Sequence, residues 1–187
     1  KEDLRRIVAE RKEEIADAHL SSRKIADQLL AMPLMEKADA IMSYVSFGSE
    51  VYSMSMITRL IAMGRRVSIP YCVEDELRLF VLKDFSELMT INFGVLEPKL
   101  KLRELPERQM SIDELQIVIV PGIAFDPNGG RVGRGKGYYD RFIKKLPENV
   151  TTIALAFDCQ MFDNVPMNEN DQFVKIIVTE SKIYTRP

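Results

Sequence analysis

The run Leu115-Gln116-Ile117-Val118-Ile119-Val120, closed by Pro121-Gly122, constrains the fold more than any other stretch of the chain. A strand with one wet face alternates apolar and polar residues, whereas four consecutive β-branched residues call for burial on both faces, the mark of a central strand in a helix-covered parallel sheet. Ala40 to Phe47 is a second mostly apolar, β-capable run, stopped by Gly48. Further strands are predicted over Arg66–Tyr71, where Val67, Ile69 and Tyr71 alternate with polar neighbours, and over Leu77–Leu82, Thr151–Phe157 and Phe173–Val178.

Helical spacing of Leu4, Ile7, Val8, Ile15, Ala18, Ile25 and Leu29 predicts helix from Leu4 to Leu30, with Ser21 and Ser22 placed to cap a second half. Ser53 or Ser55 opens another helix through Met63, stopped by Gly64, and Tyr138 to Leu146 forms a third. Alternating strands and helices predict an α/β fold, a mostly parallel sheet flanked by helices in three Rossmann-like layers. The 187 residues fit one domain, residues 1–187, against the ~100–200 residues usual for a domain. Residues 85–110 mix charge with Gly94, Pro98 and Pro106 and read as loops and short elements, a lid or a wall.

Charge and rare residues narrow the chemistry. Lys plus Arg number 26 and Asp plus Glu 28, a net charge of −2 that argues against a dedicated nucleic-acid or membrane-surface protein. No apolar run approaches the ~20 residues of a membrane helix and Lys1-Glu2-Asp3-Leu4-Arg5-Arg6 is no signal peptide, so a cytoplasmic location is expected. Cys72 and Cys159 are far apart and read as two buried free thiols, and His19 is the only histidine. Hydrolysis through a histidine-based triad or dyad is nearly excluded. The ten methionines read as core filler at helical spacing.

Between Asp126 and Lys145 the balance reverses. Six basic residues (Arg131, Arg134, Lys136, Arg141, Lys144, Lys145) face two acidic ones (Asp126, Asp140) within a glycine-rich segment that follows a strand and precedes a helix. Glycines let backbone N–H groups turn toward an anion, so the arrangement suits a phosphate cradle. Gly130, Gly135 and Lys136 satisfy Gly-x-x-x-x-Gly-Lys, but Gly137 stands where a Walker loop has Ser or Thr for magnesium. Tyr138 likewise breaks the Gly-x-Gly-x-x-Gly of a dinucleotide site. On residues alone, a nucleotide site, an RNA-contacting Arg-Gly loop with Tyr138 and Tyr139 for stacking, and a plain basic hairpin all stand. A nucleic-acid-binding module would show steep salt dependence and no turnover.

Arg131-Val132-Gly133-Arg134-Gly135-Lys136-Gly137-Tyr138-Tyr139-Asp140 resembles the signature of the 5-formyltetrahydrofolate cyclo-ligase family. The similarity extends to Lys1-x-x-x-Arg5, Ser46-x-x-x-Glu50, Val120-Pro121-Gly122-x-x-Phe125-Asp126, Ala154-x-Ala156-Phe157 and Val165-Pro166-x-Asn168-Glu169-x-Asp171. The resemblance implies that 5-formyltetrahydrofolate and ATP, with Mg2+, give 5,10-methenyltetrahydrofolate, ADP and phosphate. It further implies that Lys1, Arg5 and the segment from Arg131 through Val132, Gly133, Arg134, Gly135, Lys136, Gly137 and Tyr138 to Tyr139 bind ATP, with Arg134, Lys136 and Tyr138 at the reacting groups. Residues Arg134 to Tyr138 would also meet the formyl end of the folate, Val45, Phe47 and Glu50 would line its pocket, and Asp140 and Asp171 would hold magnesium. The only partner implied is the folate itself, with its polyglutamate length open, and a monomer is the default.

That chemistry explains the need for such a loop. A formyl amide is a poor electrophile with a poor leaving group, and phosphorylating its oxygen makes the carbon open to attack by the folate's own N10. The protein has to position polyanions and neutralise charge, which requires cations and backbone donors and no protein nucleophile.

Overall fold

The computed structural model describes residues 1–91 and 94–186. The N-terminal periodic stretch divides into α1 (Glu2–Glu13) and α2 (Ala18–Leu30), followed by the short α3 (Pro33–Lys37). The break falls at Asp17, not at Ser21 or Ser22: the Asp17 carboxylate accepts from Leu20 N (2.9 Å) as the N-cap of α2. Ser22 is instead buried inside that helix, donating to Ala18 O (2.6 Å) and accepting from Tyr52 N (3.0 Å). A hydroxyl with two partners at mid-helix ties α2 to the following chain.

The rest runs β1 (Ala40–Ser43), α4 (Met54–Ala62), β2 (Arg66–Val73), β3 (Glu76–Val81), β4 (Leu88–Thr90), β5 (Leu96–Pro98), α5 (Leu100–Arg103), β6 (Ile117–Val120), β7 (Ala124–Phe125), β8 (Arg131–Val132), α6 (Tyr138–Lys144), β9 (Thr151–Leu155), β10 (Ile176–Val178) and β11 (Ile183–Thr185). Among the described residues the main sheet has seven strands in the order β11-β10-β9-β6-β1-β2-β3. From β10 to β2 every pairing is parallel, and β3 and β11 close the two edges antiparallel. The expected α/β architecture is therefore present.

Burial on both faces of β6 is complete. Ile117 and Ile119 pack with Ile25, Leu29, Ile57 and Leu60 of α2 and α4, whereas Val118 and Val120 pack with Phe142 of α6 on the opposite face. Met35, Met42 and Met56 belong to this core, but Met63 is exposed at the end of α4. Ser53 occupies the N-cap of α4 without capping it, because its hydroxyl donates to Tyr44 O (2.7 Å) and accepts from Ser46 N (2.9 Å). That pair of bonds fixes the loop leaving β1.

Two expectations about the loops change. The glycine-rich segment contains a two-stranded hairpin, β7–β8, packed on Val8 of α1. Cys72 is exposed and Cys159 half-buried, so neither behaves as a core thiol; Cys72 lies in the part of the β2–β3 hairpin that projects beyond the covered sheet. His19 stacks on Tyr52, with ring centroids 4.0 Å apart.

The strand order locates the site. From β1 the chain steps to β2 on one side, then returns to place β6, β9 and β10 on the other, so the strand order reverses between β1 and β6. In an open α/β sheet the crevice beyond the carboxyl ends of two such strands is where ligands bind.

Candidate active site

That crevice holds a cavity of about 370 Å³. The carboxyl end of β1 contributes Tyr44, Val45, Phe47 and Glu50, that of β6 Pro121, Gly122 and Ile123, and the β2–β3 hairpin Tyr71, Cys72 and Leu77. One wall is α1 with Arg5, Val8 and Lys12, and another is β5 with Leu96 and Glu97. The glycine-rich segment brings Arg131, Gly133, Arg134 and Lys136 over the top, continued by Tyr138, Tyr139 and Asp140 of α6. Most residues singled out from sequence meet here. Val132, Gly135 and Gly137 belong to the same segment without lining the cavity, and Lys1 and Asp171 lie outside the lining, bonded to each other.

The segment is held by polar atoms. Asp126 is buried and accepts from Asn128 N (2.9 Å) and Gly130 N (3.0 Å) through Oδ1 and from Val165 N (2.9 Å) through Oδ2. Gln160, also buried, donates to Gly122 O (3.0 Å) and Ile123 O (2.8 Å). A Cβ on Gly122 would sit 2.4 Å from Cζ of Phe125, so only glycine fits where the chain leaves β6. Gly137 enters α6 at φ 68°, a left-handed conformation costly for other residues.

Each cation has a distinct setting. Arg5 grips Gly133 O with Nε (3.1 Å) and Nη2 (3.0 Å). Arg131 is 3% exposed, pairs with Asp140 Oδ1 (2.7 Å), donates to Pro121 O (3.2 Å) and leaves Nε without a partner among the described residues. Arg134 is exposed but meets Glu50 Oε1 through Nη2 (2.9 Å) and Nε (3.3 Å), while Glu50 Oε2 accepts from Phe47 N (2.9 Å). Of Arg131, Arg134 and Lys136, only Lys136 has no carboxylate partner among the described residues. Its ammonium is available for an anion.

Tyr44 is buried, donating to Val51 O (2.8 Å), and Tyr139 is half-buried; desolvation pushes both phenols up, so they stay neutral. Lys12 was not legible as a site residue because it lies among the charged residues of α1. Burial lowers its pKa from the ordinary 10.5, and Nζ donates to Ser49 O (2.7 Å) beside Glu50. Burial alone would raise Asp171, but the bond from Lys1 and the Asn168 N–H (2.7 Å) hold its carboxyl below the ordinary 3.8.

A magnesium ion carried on phosphates needs only one or two protein carboxylates, the remaining positions being phosphate oxygens and water. Asp140 fits: it lines the cavity, and its Oδ1 takes Arg131 and Gln172 N (3.1 Å) while Oδ2 has no hydrogen bond among the described residues. Asp171 fits less well, being committed to Lys1. Among the described residues no cluster of three or more His, Cys, Asp or Glu forms a self-contained metal cage.

A doubly wound α/β protein with a cation-roofed crevice at its switch point is one built to bind an anionic small molecule. The particular kind follows from comparison with known proteins: residues 1–180 match the model of the 5-formyltetrahydrofolate cyclo-ligase family, and the chain belongs to that family. It is thus an enzyme of the cyclo-ligase class. A 5-formyltetrahydrofolate cyclo-ligase of Escherichia coli (strain K12) is 28% identical over 166 residues, covering 87% of this chain and 89% of the relative. One of Mus musculus is 28% identical over 189 residues, covering 96% and 89%. The fold is that of 5,10-methenyltetrahydrofolate synthetase from Aquifex aeolicus, with a TM-score of 0.84 at 24% identity over 98% of this chain and 91% of that one.

Proposed function

We propose that this enzyme converts 5-formyltetrahydrofolate and ATP into 5,10-methenyltetrahydrofolate, ADP and phosphate. The observation that carries the reading is the one cavity at the β1–β6 switch point, roofed by cations and floored by apolar side chains. A phosphate chain needs the former and a reduced pterin the latter. Membership of the cyclo-ligase family and the names of its relatives support the same reaction.

In the proposed course the formyl oxygen attacks the γ-phosphorus and ADP leaves with the bonding pair. N10 then adds to the formyl carbon and loses its proton to solvent, and phosphate departs with the C–O electrons to leave the methenyl bridge. Lys136 and Arg134 stabilise the charge that spreads over the transferring phosphoryl group. Arg5 fixes the strand of the cradle at Gly133, and with Lys1 it stands on the ATP side. Arg131 orders the loop from below and holds the Asp140 carboxylate in place beside the phosphates. Asp140 Oδ2 would hold magnesium, whose chemistry is to neutralise the phosphoryl oxygens, with Asp171 as a second carboxylate once released from Lys1. Phe47, Val45 and Tyr138 border the folate, and Glu50 accepts from its N–H donors once Arg134 turns toward phosphate.

The purified enzyme with 5-formyltetrahydrofolate, ATP and magnesium should form the methenyl chromophore, and should form none when ATP is withheld. Absence of product with all three present would overturn the reading.

A further inference from the structure

The cavity that cations roof also carries a carboxylate that the reaction above leaves unused. Glu97, on β5, is 7% exposed and lines the cavity. Its Oε2 is paired with Arg103 Nη2 (2.8 Å), whereas Oε1 receives, among the described residues, only the Cys72 N–H at 3.3 Å. Arg103 is itself fixed, with Nε donating to Pro98 O (2.7 Å) and its guanidinium 4.8 Å from the centre of the Tyr71 ring. The carboxylate is thus held rigidly with acceptor capacity left on one oxygen.

A negative charge beside a site for polyanions weakens binding unless the ligand brings hydrogen-bond donors to it. Phosphates bring none. The amino-pyrimidinone ring of a reduced pterin does, through its exocyclic amine and ring N–H. The surroundings of Glu97 suit that flat ring, since Leu96 precedes it, Leu77 pairs with the Cys72 that bonds it, Tyr71 lies under its partner Arg103, and all three line the cavity. Resting on the folate reading, we propose that Glu97, braced by Arg103, is a specificity-determining residue that accepts from the donor edge of the pterin and distinguishes the folate end of the cavity from the phosphate end.

The test compares two part-buried Glu–Arg pairs of one segment. Glu87 pairs with Arg108 away from the cavity, so Glu87→Gln should lower thermal stability and leave both Michaelis constants unchanged. Glu97→Gln should raise KM for the folate by about tenfold or more, the range for losing a charged hydrogen-bond partner, with KM for ATP within twofold. A folate lacking the 2-amino group, followed by its binding to the enzyme without ATP, should bind wild type about tenfold more weakly than the parent folate and Glu97→Gln almost equally. If Glu97→Gln only lowers stability as Glu87→Gln does, or raises the ATP constant instead, or both proteins discriminate the two folates alike, the proposal fails. A wild-type protein that binds folate but forms no methenyl product refutes the reaction without touching this assignment.

Discussion

Two residues, Pro121 and Gly122, separate β6 from the segment that roofs the cavity, and the two regions are held by opposite means. Every side chain of β6 is buried against apolar neighbours on one face or the other. Beyond the β7–β8 pair packed on Val8, the segment from Ile123 to Gly137 is held by a few polar groups: the Asp126 carboxylate, the Gln160 amide and the guanidinium groups of Arg5 and Arg131. Many small contacts resist the loss of any one, whereas a polar brace has no substitute. The sheet should therefore tolerate substitutions of similar volume, and the roof should not.

Arg131→Met tests this hardest. It leaves the part-buried Asp140 without its cation, and breaking such a pair costs up to about 3–5 kcal/mol, to be read from urea unfolding. Unchanged stability would break the comparison. Lys136→Ala removes an exposed, unpaired cation and should lower kcat by about 10²–10³ while Tm stays within about 1 °C. A matching fall in Tm would mean that Lys136 braces the loop. Ile119→Val, at the centre of the sheet, should cost only about 0.5–1.5 kcal/mol in urea unfolding and leave both Michaelis constants unchanged.

The smallest effect is at Lys12. Its folded pKa lies below 10.5, so the unfolded chain holds that proton more tightly, and the stability this group contributes is present above 10.5 and lost as pH falls through the lowered value. Lys12→Met removes the cost of a half-buried charge and should raise Tm at pH 7 by about 2 °C or less, a gain that fades as pH approaches 10.5. A gain that persists at high pH would point to better packing in place of relieved charge.

The same contrast explains what sequence reading could reach. The sheet was legible because burial of β1, β6 and β9 leaves long apolar runs, and the glycine-rich loop because its charge reverses that of the chain. Pairing that depends on single atoms left no pattern: Asp17 outcompetes Ser21 and Ser22 for the cap of α2, and the β7–β8 hairpin is only two residues per strand. Nothing in the spacing of Lys12 or Glu97 marks them as cavity residues. Lys12 reaches it from a charged helix, and Glu97 from a short strand whose position depends on β2, more than twenty residues earlier. Gln160 shows the limit most clearly, since an amide propping a loop from 37 residues away resembles any other polar residue in sequence.

The reversal between β1 and β6 also sets when the site can exist. Arg134 meets Glu50 across 84 residues, Arg5 meets Gly133 across 128, and Lys1 meets Asp171 across 170. Contacts so distant along the chain form late in folding, after the loops between them have closed. A chain emerging from the ribosome carries β1 and α4 long before the roof is made, and so has no formed cavity until synthesis has passed α6. A closed cavity in this protein is thus a mark of a finished molecule, and a copy truncated before α6 would lack it.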